Sequence, residues 1–490
     1  MSDIRETISI SALRQRQQIH RRQVRYFAIA WTGITLLLGA ATFVAVYTAT
    51  GALASEPLAS SGSFLLPPPA ESGVLVAQIT ATPFPTFPPP EQGQPIQEPP
   101  TPVIVVATPA VQPTVPPIRD LDFDLGIAVQ KNPDPNVYKL WVEMARDQLR
   151  LNWVKSQLVW RDTERVKGQI DWSELDASLT LLSEAGVKVL LSITKAPDWA
   201  RDPGARIVAD VHDGPPANPQ DFADFLSALL RRYPGKIHAI EVWNEVNIDR
   251  EWTTNPPAID ARRYVQLLQV AYNTIKSIDP NIIVISAGLA PTGANIPGAV
   301  MDDFIYMDQM IAAGMLNFVD CVGAHHNGLN VPPNYDWNNL PERNPPARFR
   351  GPWENPHHSW SFKSTLEGYI KRIRAAGSDK KLCVTEFGWP SVEDLQGRGQ
   401  LREGFGFAAD NTLQDQAEFT VQAIELMQQW GFVRLAMLWN LNYGAQAGWD
   451  ISGPVGDNVP WSILGPNFQP RPVWQRIVDM DFRSRPRRAQ

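Results

Sequence analysis

Two glutamates, Glu245 and Glu386, each stand at the end of a short apolar run that is typical of a buried strand. A carboxyl group in such a place is available for acid, base or nucleophilic chemistry. Two carboxyl groups that face one another, one protonated and one ionised, can hydrolyse a glycosidic bond with retention of configuration. A single glutamate at a strand end is more often a surface residue, so this hypothesis requires both to meet at one site.

Polar and aromatic side chains at the ends of the same runs suit the binding of a sugar. Amide and imidazole groups hydrogen-bond to hydroxyls, and tryptophan rings offer flat apolar faces on which sugar rings stack. The candidate binding residues of this kind are Asn244, His325, Asn327, Trp389 and Trp439. Glu241 precedes Asn244 by three residues and is expected to be structural.

The histidines and cysteines predict no metal site. His325 and His326 are neighbours on a strand-like run, and neighbouring residues of a strand point to opposite faces. Cys321 and Cys383 lie in separate apolar runs, so we expect two buried, unpaired thiols, with a disulfide between them as the alternative. No metal and no organic cofactor is therefore expected.

Eight apolar, β-branched runs alternate with amphipathic stretches that carry apolar residues at helical spacing. The predicted strands are 123–129, 153–159, 187–193, 237–243, 282–287, 318–324, 382–385 and 433–439. The predicted helices are 137–149, 175–185, 219–232, 261–278, 302–313, 362–376 and 412–430. Four helices are expected to end at glycines in the left-handed conformation: Gly186, Gly314, Gly377 and Gly431.

This alternation predicts an α/β protein, and the sequence has no glycine-rich phosphate loop of the kind found in doubly wound sheets. We therefore expect a (β/α)₈ TIM barrel over residues 118–490. The active site of such a barrel lies at the carboxyl ends of its strands. A long loop after the sixth strand carries Trp337, Trp353 and Trp360, which either form a wall of the cleft or pack against the barrel.

Residues from about 122 to 474 resemble the clan A glycoside hydrolases, a group that includes families 5, 10 and 39. Trp-Asn-Glu at 243–245 matches the strand-four motif of the clan, and Thr-Glu-Phe-Gly-Trp at 385–389 resembles its strand-seven motif. The resemblance implies that Glu245 is the acid/base, Glu386 the nucleophile and Asn244 a contact of the sugar 2-hydroxyl. It also implies that Trp439 forms the floor of the subsite. The activity implied is retaining hydrolysis of β-linked O-glycosyl bonds.

Two positions depart from the pattern of the clan. Lys155 stands where an arginine is usual near the nucleophile, and Asn327 stands where a tyrosine often orients it. Arginine and lysine differ in the geometry of their donors. The alternative hypothesis is therefore a non-catalytic carbohydrate-binding or cell-surface scaffold protein built on a decayed barrel.

The first 117 residues are organised differently from the rest. Residues 1–25 form a basic tail with six arginines, and the uncharged stretch 26–47 is long enough to cross a bilayer as a helix. We expect an uncleaved signal anchor with a cytoplasmic N-terminus, the alternative being secretion after cleavage near Ala54. The segment 48–117 is predicted to be a proline-rich extracytoplasmic linker, because 17 of the 44 prolines lie between residues 55 and 117.

The net charge of −7 and the lack of a long basic run in the globular part argue against a nucleic-acid partner. We expect a monomer that acts on a neutral or weakly charged carbohydrate and contacts the membrane through residues 26–47. The sequence leaves open which glycan is cut and whether the cut is internal or terminal.

Overall fold

The computed structural model describes residues 123–205, 213–340, 357–402, 404–453 and 456–480. The predictions made for the tail, the anchor and the linker fall outside these residues. Within them, no helix has both the length and the apolar character needed to cross a membrane.

Eight parallel strands form one sheet in the order β5-β4-β3-β2-β1-β8-β7-β6. A parallel bridge between Ile285 and Cys321 joins the two outer strands, which closes the sheet into a barrel. The strands are β1 Asp124–Ala128, β2 Trp153–Val159, β3 Lys188–Thr194, β4 Ala239–Val242, β5 Ile283–Ser286, β6 Val322–His326, β7 Leu382–Phe387 and β8 Val433–Leu438. The predicted (β/α)₈ TIM barrel is confirmed.

Helices surround the barrel between successive strands. They are α1 Pro135–Glu143, α2 Ser173–Glu184, α3 Pro219–Arg232, α4 Ala261–Ile278, α5 Asp303–Ala312, α6 Phe362–Ala375, α7 Leu413–Trp430 and α8 Pro472–Val478. Local chemistry sets their ends: the side chain of Asp260 accepts hydrogen bonds from the first turn of α4, and Thr412 and Asp415 form a capping box at α7. The four glycines predicted to end helices all have positive φ, between 67° and 89°.

Several element boundaries differ from the prediction by a few residues, and those of the sixth strand and the first helix are the most informative. The sixth strand begins at Val322 rather than 318, because residues 315–317 form a 3₁₀ turn, and it extends through His326. A bulge between Ala324 and His325 shifts the register so that His325 pairs with Glu386 on β7. The first helix begins earlier than predicted, because Asp134 caps it and Pro135 occupies its first position.

The inside of the barrel is filled by a compact apolar layer. It consists of Trp153, Leu190, Ala239, Ile285, Cys321, Cys383, Leu435 and Met437. Cys321 and Cys383 are bonded to each other in this layer, so the expectation of two unpaired thiols was wrong. The pairing of β6 with β7 brings their Cα atoms to 5.8 Å, a distance that a disulfide spans.

Of the three tryptophans in the loop after β6, only Trp360 is seen to be packed into the domain. Trp360 is buried in the 3₁₀ turn His358–Trp360, and Trp337 is 39% exposed. Neither residue lines the cleft described below, and Trp353 falls outside the described residues.

Candidate active site

A cleft of about 830 Å³ lies at the carboxyl ends of the strands. Such a volume is typical of a small-molecule or oligosaccharide site. Among the residues predicted for the site, five line this cleft: Asn244, Glu245, Asn327, Glu386 and Trp439. Lys155 and His325 are buried and contact the glutamates directly.

Glu386 lies near the end of β7 and is held from two sides. Lys155 Nζ donates to its Oε1 at 2.9 Å, and Asn327 Nδ2 donates to its Oε2 at 3.1 Å. Burial by itself would raise the pKa of Glu386, but the charges of Lys155 and His325 outweigh it and lower the pKa below its usual value. Glu386 is therefore an oriented, ionised carboxylate.

Lys155 on β2 connects Glu386 with a second buried carboxylate. Its ammonium lies 3.1 Å from Glu241 Oε2 and 3.2 Å from the Thr385 carbonyl oxygen. Burial would lower the pKa of Lys155, and the two carboxylates reverse that effect and raise it. Glu241 also accepts hydrogen bonds from the Thr385 hydroxyl and from Gly288 N. Its fully buried position agrees with the structural role expected from the sequence.

His325 stands between three carboxylates. Its Nδ1 is 3.2 Å from Glu245 Oε1 and 3.9 Å from Glu386 Oε2, and its Nε2 is 3.4 Å from Glu241 Oε1. Burial by itself would lower the pKa of His325. The negative charges of Glu386 and of the other two carboxylates outweigh this effect and raise the pKa to about 10. The imidazolium is thus charged at neutral pH and connects the two candidate catalytic groups.

Glu245 follows β4 and is the more accessible of the two candidates, with 22% of its side chain exposed against 7% for Glu386. Its backbone has a φ of 40°, and Trp243 has a φ of 74°. Left-handed backbone at residues other than glycine is costly and is concentrated at functional sites. The turn directs the Glu245 side chain into the cleft, where it can exchange protons with a ligand.

Two more of the predicted residues, Asn244 and Trp439, face the cleft. Asn244 lines the cleft, and its Oδ1 is buried without a hydrogen-bond partner among the described residues. A buried acceptor of this kind is costly unless a ligand satisfies it. Trp439 lines the cleft with its ring 4.8 Å from that of Tyr443, and Lys155 Nζ is 5.8 Å from the Trp439 ring.

Trp389 is placed elsewhere, which corrects the expectation that it binds substrate. Its ring is 1% exposed, packs against Phe362 and Phe419, and donates through Nε1 to the Val331 carbonyl. Since Trp389 comes two residues after the end of β7, the direction of its side chain depends on the turn and not on the strand. His326 packs its ring against Phe362 on α6, as the alternation of strand faces predicts.

The sequence reasoning missed several charged residues of the cleft. Arg250 and Glu251 follow Glu245 in the same loop, and Asp457 lies 3.6 Å from Arg250 and 3.0 Å from Arg402. Burial, followed by the charge of Glu245, raises the pKa of Glu251 to about 7. The signal for Arg250 and Glu251 was their position just after a strand-four glutamate, whereas Arg402 and Asp457 come from long loops without a motif.

Comparison with known proteins gives matches at the level of three-dimensional structure. A family 39 glycoside hydrolase from Bacteroides cellulosilyticus WH2 matches with a TM-score of 0.49 and 18% identity, over 72% of this chain and 62% of that one. A monomeric β-xylosidase from Caulobacter crescentus CB15 matches with a TM-score of 0.48 and 18% identity, over 73% and 67%. A family 10 protein from Paenibacillus barcinonensis matches with a TM-score of 0.45 and 16% identity, over 73% and 94%.

These structures include members of families 39 and 10, two of the families that the sequence motifs resemble. The chain covers about two thirds or less of the length of the first two structures. No protein-family model and no curated protein sequence matches the chain.

Proposed function

We propose that the protein is a retaining glycoside hydrolase that cleaves β-linked O-glycosyl bonds. The observation that carries the proposal is the pair Glu245 and Glu386, which face one cleft and share contacts with His325. Their environments differ in the way that catalysis needs: Glu386 is buried and kept ionised by Lys155, while Glu245 is accessible.

In the proposed reaction, Glu386 attacks the anomeric carbon while Glu245 protonates the departing glycosidic oxygen. The bond to the leaving group breaks and a covalent glycosyl-enzyme forms. Glu245 then takes a proton from a water molecule, whose oxygen displaces Glu386, so that two inversions retain the configuration. Asn244 offers its unpaired oxygen to a sugar hydroxyl and Trp439 its ring to a sugar face.

The spacing of the two carboxylates favours retention. Both lie near His325 Nδ1, at 3.2 Å for Glu245 Oε1 and 3.9 Å for Glu386 Oε2, so these oxygens are separated by at most the sum of those distances. Inverting enzymes need about 6.5–9.5 Å to seat a water molecule, whereas retaining enzymes need about 5–5.5 Å. For this pair of oxygens, the upper limit is compatible with the separation in retaining enzymes and overlaps only the lower part of the inverting range.

Mutants of the two glutamates test the mechanism on aryl β-glycosides. Glu386→Ala should lose roughly 10⁴-fold or more of its turnover, and azide should restore part of it with an α-glycosyl azide as product. Glu245→Ala should still react with dinitrophenyl glycosides, and azide should yield a β-glycosyl azide. Glu418→Gln, on the exposed face of α7, is the matched control and should behave as wild type. Unchanged activity in both active-site mutants would refute the proposed function.

The non-catalytic scaffold is the second candidate, and Lys155 and Asn327 were the reason to consider it. Both side chains donate to Glu386 and perform the orienting role of the residues they replace in the clan pattern. This arrangement favours the enzyme. A panel of aryl β-glycosides and β-glucans decides between the two, because a scaffold would bind glycans without turnover.

We further propose that the barrel lies outside the cytoplasm as a monomer, anchored by residues 26–47. The disulfide between Cys321 and Cys383 supports export, because disulfides persist in oxidising compartments. Fractionation of cells that express the full chain should recover it in the membrane fraction. In intact cells, protease added to the medium should digest the barrel domain. A soluble product that begins near Ser55 would instead show cleavage of the signal.

A further inference from the structure

A second group of chemically active side chains lies outside the cleft. Asp302 caps the start of α5, and His357 and His358 precede α6. One ligand atom from each of these three residues lies within 4.8 Å of the others. None of the three lines the cleft, so the group is not part of the proposed catalytic site.

His358 is oriented by buried partners. Its Nε2 lies 3.0 Å from both carboxylate oxygens of Asp303, which is 0% exposed and accepts a hydrogen bond of 2.7 Å from the Tyr369 hydroxyl. Its ring stacks on Phe304 with centroids 3.4 Å apart. A histidine that donates one nitrogen to a carboxylate presents the lone pair of the other nitrogen, as metal-binding histidines do. Here that other nitrogen is Nδ1.

His357 and Asp302 are oriented toward each other. His357 Nε2 is 3.1 Å from Asp302 Oδ2, while its Nδ1 accepts a hydrogen bond of 3.2 Å from Ser359 N and lies 3.0 Å from the Ser359 hydroxyl. Asp302 uses its Oδ1 to accept from Ile305 N, so Oδ2 remains for the group. The imidazole lies flat against Gly293, where an added Cβ would come within 2.7 Å of Nδ1.

We propose that Asp302, His357 and His358 bind one zinc ion. Two imidazole nitrogens and one carboxylate oxygen match the ligand set of zinc, whereas calcium and magnesium prefer shells made of oxygen. Asp303 and Tyr369 supply the outer hydrogen bonds that fix a zinc-binding histidine. Binding would release to solvent the proton that His357 Nε2 shares with Asp302, draw the three ligand atoms closer together and leave a fourth position for solvent.

The site would tie together two segments that border the cleft. The loop after β5 contributes Ala290 and Pro291 to the cleft lining, and Ser359 contributes from the other segment. Zinc at this place is therefore structural. The sequence predicted no metal site. It had drawn attention only to His325 and His326, which are not part of this group.

The test uses the full chain, purified without a polyhistidine tag and treated with a chelator. Calorimetric titration with zinc chloride should give one ion per chain, and zinc should raise the melting temperature, while calcium chloride should do neither. X-ray absorption at the zinc edge should show imidazole nitrogen in the shell. His357→Ala and Asp302→Asn should each weaken zinc binding at least tenfold, and the asparagine keeps an oxygen for the cap of α5.

His238→Gln is the matched control, because His238 directly precedes β4 at the opposite end of the barrel, and it should bind zinc as wild type does. Zinc affinity that is unchanged in both ligand variants, equal binding of calcium, or no binding at all would overturn the proposal. None of these readouts depends on glycosidase activity, so the outcome is separate from that of the proposed function.

Discussion

Lys155 is the residue on which the charge state of the site depends. It is buried between Glu241 and Glu386 and donates to the nucleophile candidate at 2.9 Å. Lys155→Met would leave two buried carboxylates without their cation, which costs about 3–5 kcal/mol of unfolding free energy. It should also raise the pKa of Glu386, so the acid limb of the kcat/KM profile moves to higher pH.

A pH–rate profile of Lys155→Met, together with urea unfolding, measures both effects. Lys155→Arg keeps the charge and should shift the acid limb less than Lys155→Met. An acid limb at the same pH in all three proteins would contradict the role assigned to Lys155.

Because of His325, the domain should become less stable as the pH becomes alkaline. Its pKa rises from 6.5 to about 10 on folding, so its contribution is complete below pH 6.5 and is lost as the pH rises through about 10. The melting temperature of the wild type should therefore fall between these pH values. In His325→Gln the slope over the same range should be flatter, as thermal denaturation at several pH values will show. An equally steep slope in both proteins would refute this assignment.

At the scale of elements, the segment that follows β5 determines where His325 can lie. A Cβ added to Gly288 would come within 2.2 Å of the His325 ring, and the carbonyl of Gly288 also accepts from Glu245 N at 3.0 Å. Gly288→Ala should displace the imidazole and cost about 1–3 kcal/mol through overpacking. We expect kcat/KM to fall by roughly tenfold or more, because a displaced imidazole no longer holds Glu245 and Glu386 in place.

Gly453→Ala is a suitable control for this change, because an added Cβ there meets no atom closer than 3.9 Å. Steady-state kinetics and thermal denaturation should show a lower kcat/KM and a lower melting temperature for Gly288→Ala than for Gly453→Ala. If Gly288→Ala retained full activity, the close packing of Gly288 against His325 would have no catalytic importance.

At the scale of the whole molecule, the disulfide links the start of β6 to β7, two of the strands that carry the site. Cys321 and Cys383 are separated by 62 residues, and a cross-link of that span stabilises by about 4 kcal/mol through the entropy of the unfolded chain. The double variant Cys321→Ser, Cys383→Ser should lose up to this amount in urea unfolding. Reductant should lower the melting temperature of the wild type and leave that of the double variant unchanged. An effect of reductant on both proteins would point to another cause.

The elements of the barrel were determined by the sequence itself. Strand and helix periodicities are local, and so are the caps at Asp260 and Thr412 and the helix-ending glycines, so most boundaries agree within a few residues. The placing of Glu245 and Glu386 also followed from the sequence, because the carboxyl ends of parallel strands in a barrel meet at one mouth.

Contacts between distant segments were decided by the tertiary structure alone. The pairing of β6 with β7 brings Cys321 to Cys383, and the bulge at His325 aligns it with Glu386. The loop turn after β7 directs the ring of Trp389 into the packing around α6 rather than the cleft. Register, bulges and loop directions depend on partners far along the chain, and a linear pattern of residue types does not contain them.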